Sequence, residues 1–261
     1  MTKILTIHSF KGGNGKSIIA SGLAYYCSHY LKEKTILFDC DLNAPSLTSF
    51  FSIEKIPKYT ILDLLTGNAD IKKLLKNNDP IDNLSVIYAP NPSKGREILK
   101  KDDKWHALAL QNMFYAVSSL INDFGYKWVI FDNQSGLSMT AINFLSLSNS
   151  SILVLRPSKY ANEGTYDLMT KISKKLSLIS DNNGRKDFLV WNQVPTGSKS
   201  EEILQDINNW NDRFVLQSIT PIGIIPYNEE IASRLILQSI KMDDLVPYII
   251  DIIKNSIQLL T

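Results

Sequence analysis

Lys11-Gly12-Gly13-Asn14-Gly15-Lys16-Ser17 packs three glycines, two lysines and a hydroxyl into seven residues. Glycines let backbone N–H groups turn inward around phosphate oxygens. A lysine at the end supplies charge for β- and γ-phosphates, and the following hydroxyl is a Mg2+ ligand. The run follows an apolar stretch, residues 4–7, and precedes a helical pattern of small and apolar residues, 18–24. Strand, glycine loop and helix is the context a phosphate cradle needs. Phe10 stands where the usual phosphate loop has a glycine, and Lys11 is a lysine beyond the one the cradle requires.

Three further clusters carry chemistry. Asp39-Cys40-Asp41 closes an apolar run, and a carboxylate beside a phosphate loop can hold Mg2+ through water or orient an attacking water. A helix cap with a turn would explain one of these aspartates but not both. Trp128-Val129-Ile130-Phe131-Asp132 ends another apolar run in a carboxylate, the arrangement that faces Mg2+ in phosphoryl-transfer sites. Asn192 ends Leu189-Val190-Trp191 and carries an amide that donates and accepts at once. A turn-forming asparagine is the alternative there.

The elements that must position these groups alternate. Apolar strand runs are expected at 3–8, 35–39, 84–88, 128–132, 151–155, 188–192 and 222–225. Most are continuously apolar, as strands covered on both faces are. Helical patterns are expected at 16–31, 103–124, 138–147, 161–179, 200–211, 228–239 and 244–260, with Gly125 closing the second and Asn228 capping the sixth ahead of Glu229 and Glu230. This order predicts one α/β domain over residues 1–261, doubly wound around a mainly parallel sheet. In such sheets ligands bind beyond the carboxyl ends of the strands, so the chemistry should follow His8, Asp39, Asp132, Leu155, Asn192 and Ile225.

The whole chain sets bounds. Its 261 residues are 44% hydrophobic and 21% charged, with a formal net charge of +2. That is an ordinary globular composition with no global field that demands a polyanion. Cys27 and Cys40 lack the spacing of a disulfide framework or zinc site and are expected to be reduced thiols in a cytoplasmic protein. No secretory leader and no bilayer-length apolar run are expected.

The seven-residue loop resembles the deviant phosphate loop of the ParA/MinD family of dimerising ATPases, which reads Lys-Gly-Gly-any-Gly-Lys-Ser/Thr. The resemblance implies a P-loop fold, with ATP and Mg2+ bound at Lys11, Gly12, Gly13, Asn14, Gly15, Lys16 and Ser17. It gives Lys16 a role within its own subunit and Lys11 a role across a homodimer. It assigns Asp41 to the hydrolytic water, and Ser17, Asp39 and Asp132 to the metal, Asp39 acting behind the ligands or structurally. Asn192, Pro226 and Tyr227 match the family's base-contacting positions. Asp132-Asn133-Gln134-Ser135-Gly136 resembles the second switch, normally Asp-any-Pro-any-Gly, with Gln134 replacing the proline. The stretch from Arg156 to Gly164 is similar to a segment that leads into an interface helix.

Such ATPases hydrolyse ATP to ADP and phosphate, slowly until a partner protein stimulates them, and position DNA or another cargo. For non-specific DNA the candidates are Lys94, Arg96, Lys100, Lys101 and Lys104, and Lys171, Lys174 and Lys175 on one helix. DNA is favoured slightly over a membrane surface, because the apolar C-terminal helix carries Lys254 as its one cation. The alternatives are a MinD-like membrane-associated positioning ATPase and a dethiobiotin-synthetase-like ligase. Neither cysteine fits an iron–sulfur cluster.

Overall fold

The structure is a computed structural model and describes residues 2–76, 78–179, 184–237 and 240–260. Its centre is a seven-stranded sheet: β1 (Lys3–His8), β2 (Thr35–Cys40), β3 (Leu84–Ile87), β4 (Trp128–Asn133), β5 (Ser150–Leu155), β6 (Lys186–Val194) and β7 (Ile219–Pro226). The spatial order is β3-β2-β4-β1-β5-β6-β7, and every pairing among these strands is parallel. All carboxyl ends therefore lie along one edge, and β1 sits in the middle, where the winding changes direction.

Among the described residues eleven α-helices surround the sheet: α1 (Lys16–Tyr25), α2 (Leu47–Phe50), α3 (Ile61–Leu65), α4 (Ile71–Leu74), α5 (Pro92–Gly95), α6 (Asp103–Asn122), α7 (Met139–Leu147), α8 (Lys159–Ile179), α9 (Ser200–Val215), α10 (Glu229–Ile236) and α11 (Met242–Leu260). The two-residue strand period divides the core. Leu5, Ile7, Leu37, Ile130, Ile152 and Val154 point to one face and pack with Leu23, Val246, Ile249 and Ile253 of α1 and α11. Their alternates Ile36, Phe38, Val129 and Phe131 point the other way, onto Ile61, Met113, Leu120 and Phe144. On that second face Leu153, Leu155, Leu189 and Trp191 pack with Met169, Ile207 and Phe214.

The expected strands are all present, with longer ends at β6 and β7, where the pairing carries two register shifts. Several boundaries differ from the sequence expectation. The first helix is α-helical only to Tyr25 and continues as a π-helical turn, Tyr26–Tyr30. A 3-10 segment, Arg96–Lys100, and the short helices α2 to α5 precede α6, in stretches too short to show helical periodicity. α10 ends at Ile236, short of the expected 239, and residues 238–239 lie outside those described.

Helix α11 closes the molecule as a packed element. Leu245, Val246, Ile249, Ile252 and Ile253 are buried along one stripe. Gly22 of α1 lets Ile249 come so close that a Cβ there would stand 2.4 Å from its Cδ1 atom.

Candidate nucleotide-binding site

The loop after β1 turns twice through left-handed backbone, at Gly13 (φ +77°) and Gly15 (φ +89°). Glycine takes these conformations without a Cβ penalty. At Gly15 space is also limiting, since a Cβ would fall 2.2 Å from Asn192 Nδ2. Side chains hold the loop from both sides. Ser9 Oγ donates to the Lys11 carbonyl (2.7 Å), and Asn14 Nδ2 donates to the Val154 carbonyl at the end of β5 (3.0 Å). Asn192 Nδ2 donates to the Asn14 carbonyl (2.8 Å), and Gln193 Nε2 to that of Gly13 (3.4 Å).

Phe10 is half-buried and packs against the cluster that contains Leu155 and Trp191. Its ring meets His8 edge-on at 5.0 Å. The residue that breaks the usual glycine pattern thus anchors the loop to the core. His8 is buried; burial first, then the Lys16 cation, lowers its pKa to about 3. It is neutral at physiological pH.

Lys16 is 7% exposed and donates through Nζ to Ser135 Oγ (2.8 Å), so the loop's lysine already lies against the second switch. Asp132, at the end of β4, is wholly buried; neither carboxylate oxygen makes a well-formed hydrogen bond, although the Ser17 hydroxyl stands close enough to favour its ionised form. Burial raises its pKa to about 7, against the opposing pull of the Ser17 hydroxyl and Lys16. An orphaned buried carboxylate beside a serine hydroxyl is an unsatisfied set of oxygen donors. It fits a hard cation such as Mg2+, which keeps several waters and takes few protein ligands.

Asp39 pairs in register with Asp132 across β2 and β4 but has a different environment. Its Oδ1 accepts from the Asp41 amide (3.2 Å), and its Oδ2 from the amides of Ser46 and Leu47 (3.2 Å each). Asp39 therefore ties down the loop that carries Asp41 and meets the start of α2. Burial, then the neighbouring Asp132, pushes its pKa well up, while the Leu47 and Asp41 amides oppose that shift. Asp41 is half-exposed, and its Oδ1 accepts from the amides of Asn43 (3.2 Å) and Ala44 (2.9 Å). Lys11 is exposed at the mouth of the loop.

The loop that carries Asp41 touches the stretch that resembles the second switch. Asn43 Nδ2 donates to Gln134 Oε1 (3.4 Å), and Gln134 Nε2 donates to Ser138 Oγ, the N-cap of α7. The Gly136 amide donates to the Ser9 carbonyl (3.0 Å), which joins the second switch to β1. Gln134 thus fills the proline position with a side chain that links both loops. Sequence reasoning gave no role to Ser135, Asn43 or Gln193. Their loop positions beside recognised motif residues were the available signal.

The expected base-contacting residues gather at one place. Asn192 and Tyr227 line a small cavity of about 80 Å3 with Ile18, Gln193 and Ile231. Tyr227 is 48% exposed, and its amide donates to the Val194 carbonyl (2.8 Å). The Pro226 carbonyl accepts from Tyr248 Oη (2.6 Å). The Asn192 amide is occupied within the chain: Nδ2 serves the loop, and Oδ1 accepts from the Gln193 amide (2.9 Å). In the stretch 156–164, Arg156 is exposed, and the side chains of 159–161 lie outside the described residues.

A parallel sheet with a glycine loop after its central strand, a lysine and a buried strand-end carboxylate defines the P-loop nucleotide-binding class. A family described as an AAA domain matches residues 2–183. The chain belongs to that family, as a ParA/MinD-type P-loop ATPase. It is 29% identical over 173 residues to the sporulation initiation inhibitor protein Soj of Bacillus subtilis, covering 66% of this chain and 65% of Soj. It is 25% identical over 232 residues to the septum site-determining protein MinD of Buchnera aphidicola, covering 87% and 78%. A plasmid partition protein of Borrelia burgdorferi bound to AMPPNP superposes with a TM-score of 0.75 at 26% identity, covering 99% of both chains. A McdA variant of Cyanothece in complex with ATP shares the fold, with a TM-score of 0.77 at 16% identity over 99% and 96%. The chain spans slightly under two thirds of the length of Soj.

Proposed function

We infer that this protein is a Mg·ATP-dependent switch that dimerises around nucleotide and hydrolyses it to reset. One observation carries the reading: the orphaned Asp132 carboxylate, wholly buried beside Ser17 and Lys16 at the foot of a glycine loop. Ser17 and Asp132 would hold Mg2+, directly or through water, and the cation would neutralise charge on the β- and γ-phosphate oxygens. Asp39 holds the loop that presents Asp41. Loop amides and Lys16 bind the phosphates, and Lys16 exchanges its bond to Ser135 for phosphate oxygens. Asp41 orients a water. That water's oxygen bonds the γ-phosphorus as the bond to the bridging oxygen breaks, and ADP and phosphate leave. Lys11 reaches the partner subunit's nucleotide. Tyr227, Pro226 and Asn192 flank the base, Asn192 through release of its bond to the loop.

The reading extends to partitioning or positioning, with DNA as the surface and a protein partner as stimulator. Lys94, Arg96, Lys100, Lys101 and Lys104 are all exposed within eleven residues, as are Lys171, Lys174 and Lys175. The apolar stripe of α11 is already covered by α1 and β7, which leaves it little to offer a lipid surface. Among the described residues no helix is long and apolar enough to cross a membrane. DNA co-sedimentation with ATP across a salt series, beside flotation with anionic vesicles, tests the surface. Pelleting with DNA that falls steeply with salt, with no flotation, is the expected result. Flotation without pelleting would replace DNA with membrane.

A further inference from the structure

A second basic cleft lies away from the phosphate loop. Lys55, Lys58, Lys73 and Lys76 line it with Tyr59 and Asn78, around a volume of about 570 Å3. Its walls come from the stretch before α3 and from the end of α4, both beside the edge strand β3. β2 and β4 stand between β3 and β1. Three strand spacings put the cleft roughly 14 Å or more from the loop.

Two independent features mark it as a ligand site. The first is charge. All four lysines are exposed; among the described residues no acidic side chain lines the cleft and none of the four is ion-paired. Lys58 Nζ rests 5.1 Å above the centre of the Tyr59 ring, which fixes one cation at the wall. Concentrated unpaired ammonium groups repel one another unless an anion sits among them. The second is an orphaned acceptor. Asn78 is 3% exposed, and its Nδ2 donates to the Leu74 carbonyl (2.5 Å). Its Oδ1 is buried without a partner. An anion without an O–H group leaves that oxygen unsatisfied, so the cleft asks for a hydrogen-bond donor as well.

We propose that this cleft binds a small phosphorylated ligand that also carries a hydroxyl or amino donor, of the nucleoside-phosphate or sugar-phosphate class. The phosphate is held by the four lysines, and the donor satisfies Asn78 Oδ1. The volume lies in the range of small-molecule sites. The site is separate from the phosphate loop and stands whether or not the ATPase reading does.

The test is calorimetric titration of the full chain saturated with Mg·ADP, so that the phosphate loop is filled. AMP is the probe, with adenosine and sulfate (an oxyanion with no O–H donor) standing for its two fragments and a 20-base-pair duplex as the polymeric competitor. AMP should bind one site at least about ten-fold more tightly than either fragment, because each fragment forfeits one of the two interactions. The exposed-residue variant Lys73→Gln/Lys76→Gln should keep its melting temperature and lose at least about ten-fold in AMP affinity. Sulfate binding as tightly as AMP would leave Asn78 without a role and overturn the proposal. So would an AMP affinity unmoved in the variant, or no AMP binding. Lysine-dependent binding of the duplex without AMP would make the cleft a nucleic-acid surface and reject the small ligand.

Discussion

At the scale of single residues, hydrogen bonding separates two equally buried aspartates that the sequence presents alike. Asp39 spends its oxygens on three backbone amides, whereas Asp132 spends neither. An unpaired buried carboxylate destabilises the empty protein until a cation meets it. Asp132→Asn should therefore melt about 2–4 °C higher than wild type without nucleotide and lose the stabilisation given by Mg·ATP. Scanning calorimetry checks both, and a variant that still gains stability from Mg·ATP would move the metal elsewhere. His8 gives a pH dependence of known sign. Its pKa is lowered to about 3 in the folded protein from 6.5 in the free side chain, so the unfolded chain takes the proton first. The stability this group supports is full above 6.5 and falls as pH drops towards 3, by about 2 kcal/mol at pH 5. Urea unfolding at pH 7.5 and 5.0 should show a loss larger by that amount in wild type than in His8→Phe, which keeps a ring against Phe10. Equal losses would mean that His8 is not held neutral.

At the scale of elements, the short helix that follows β3 reaches the loop of Asp41. A Cβ on Gly95, at the end of α5, would stand 1.9 Å from the Leu42 carbonyl oxygen and 2.8 Å from its carbon. That backbone belongs to the loop of Asp41. Gly95→Ala should destabilise the protein by about 1–3 kcal/mol and lower ATP turnover more than nucleotide affinity. Denaturation and steady-state kinetics measure the two, and unchanged turnover would uncouple α5 from that loop. Nothing in the sequence marked this contact, which is a tertiary approach of two short segments. The seven strands were legible because most are continuously apolar, and α6 because Gly125 closes it (φ +68°). The π-helical turn at Tyr26–Tyr30 was not, since it keeps a helical pattern of side chains. Within the site, glycine spacing showed the cradle and strand ends showed the carboxylates. Which carboxylate was satisfied depended on amides seven and eight residues further on, and these come near only when the loop folds back.

At the scale of the whole molecule, the parallel sheet brings every functional strand end to one edge and leaves Lys11 exposed there. Asn192 and Gln193 from β6, Gly136 from the second switch and Val154 from β5 all bond the loop region or the strand leading into it. Filling the loop with nucleotide therefore acts on four strands together. An exposed lysine at the mouth is free to meet a second subunit. Sedimentation velocity of wild type and Lys11→Ala, each with Mg·ATP and with Mg·ADP, tests this most directly. Wild type should be a dimer with ATP alone and Lys11→Ala a monomer under both conditions, with ATP affinity in the variant lowered no more than about ten-fold. A wild-type monomer with ATP, or a Lys11→Ala variant that dimerises as wild type does, would contradict it.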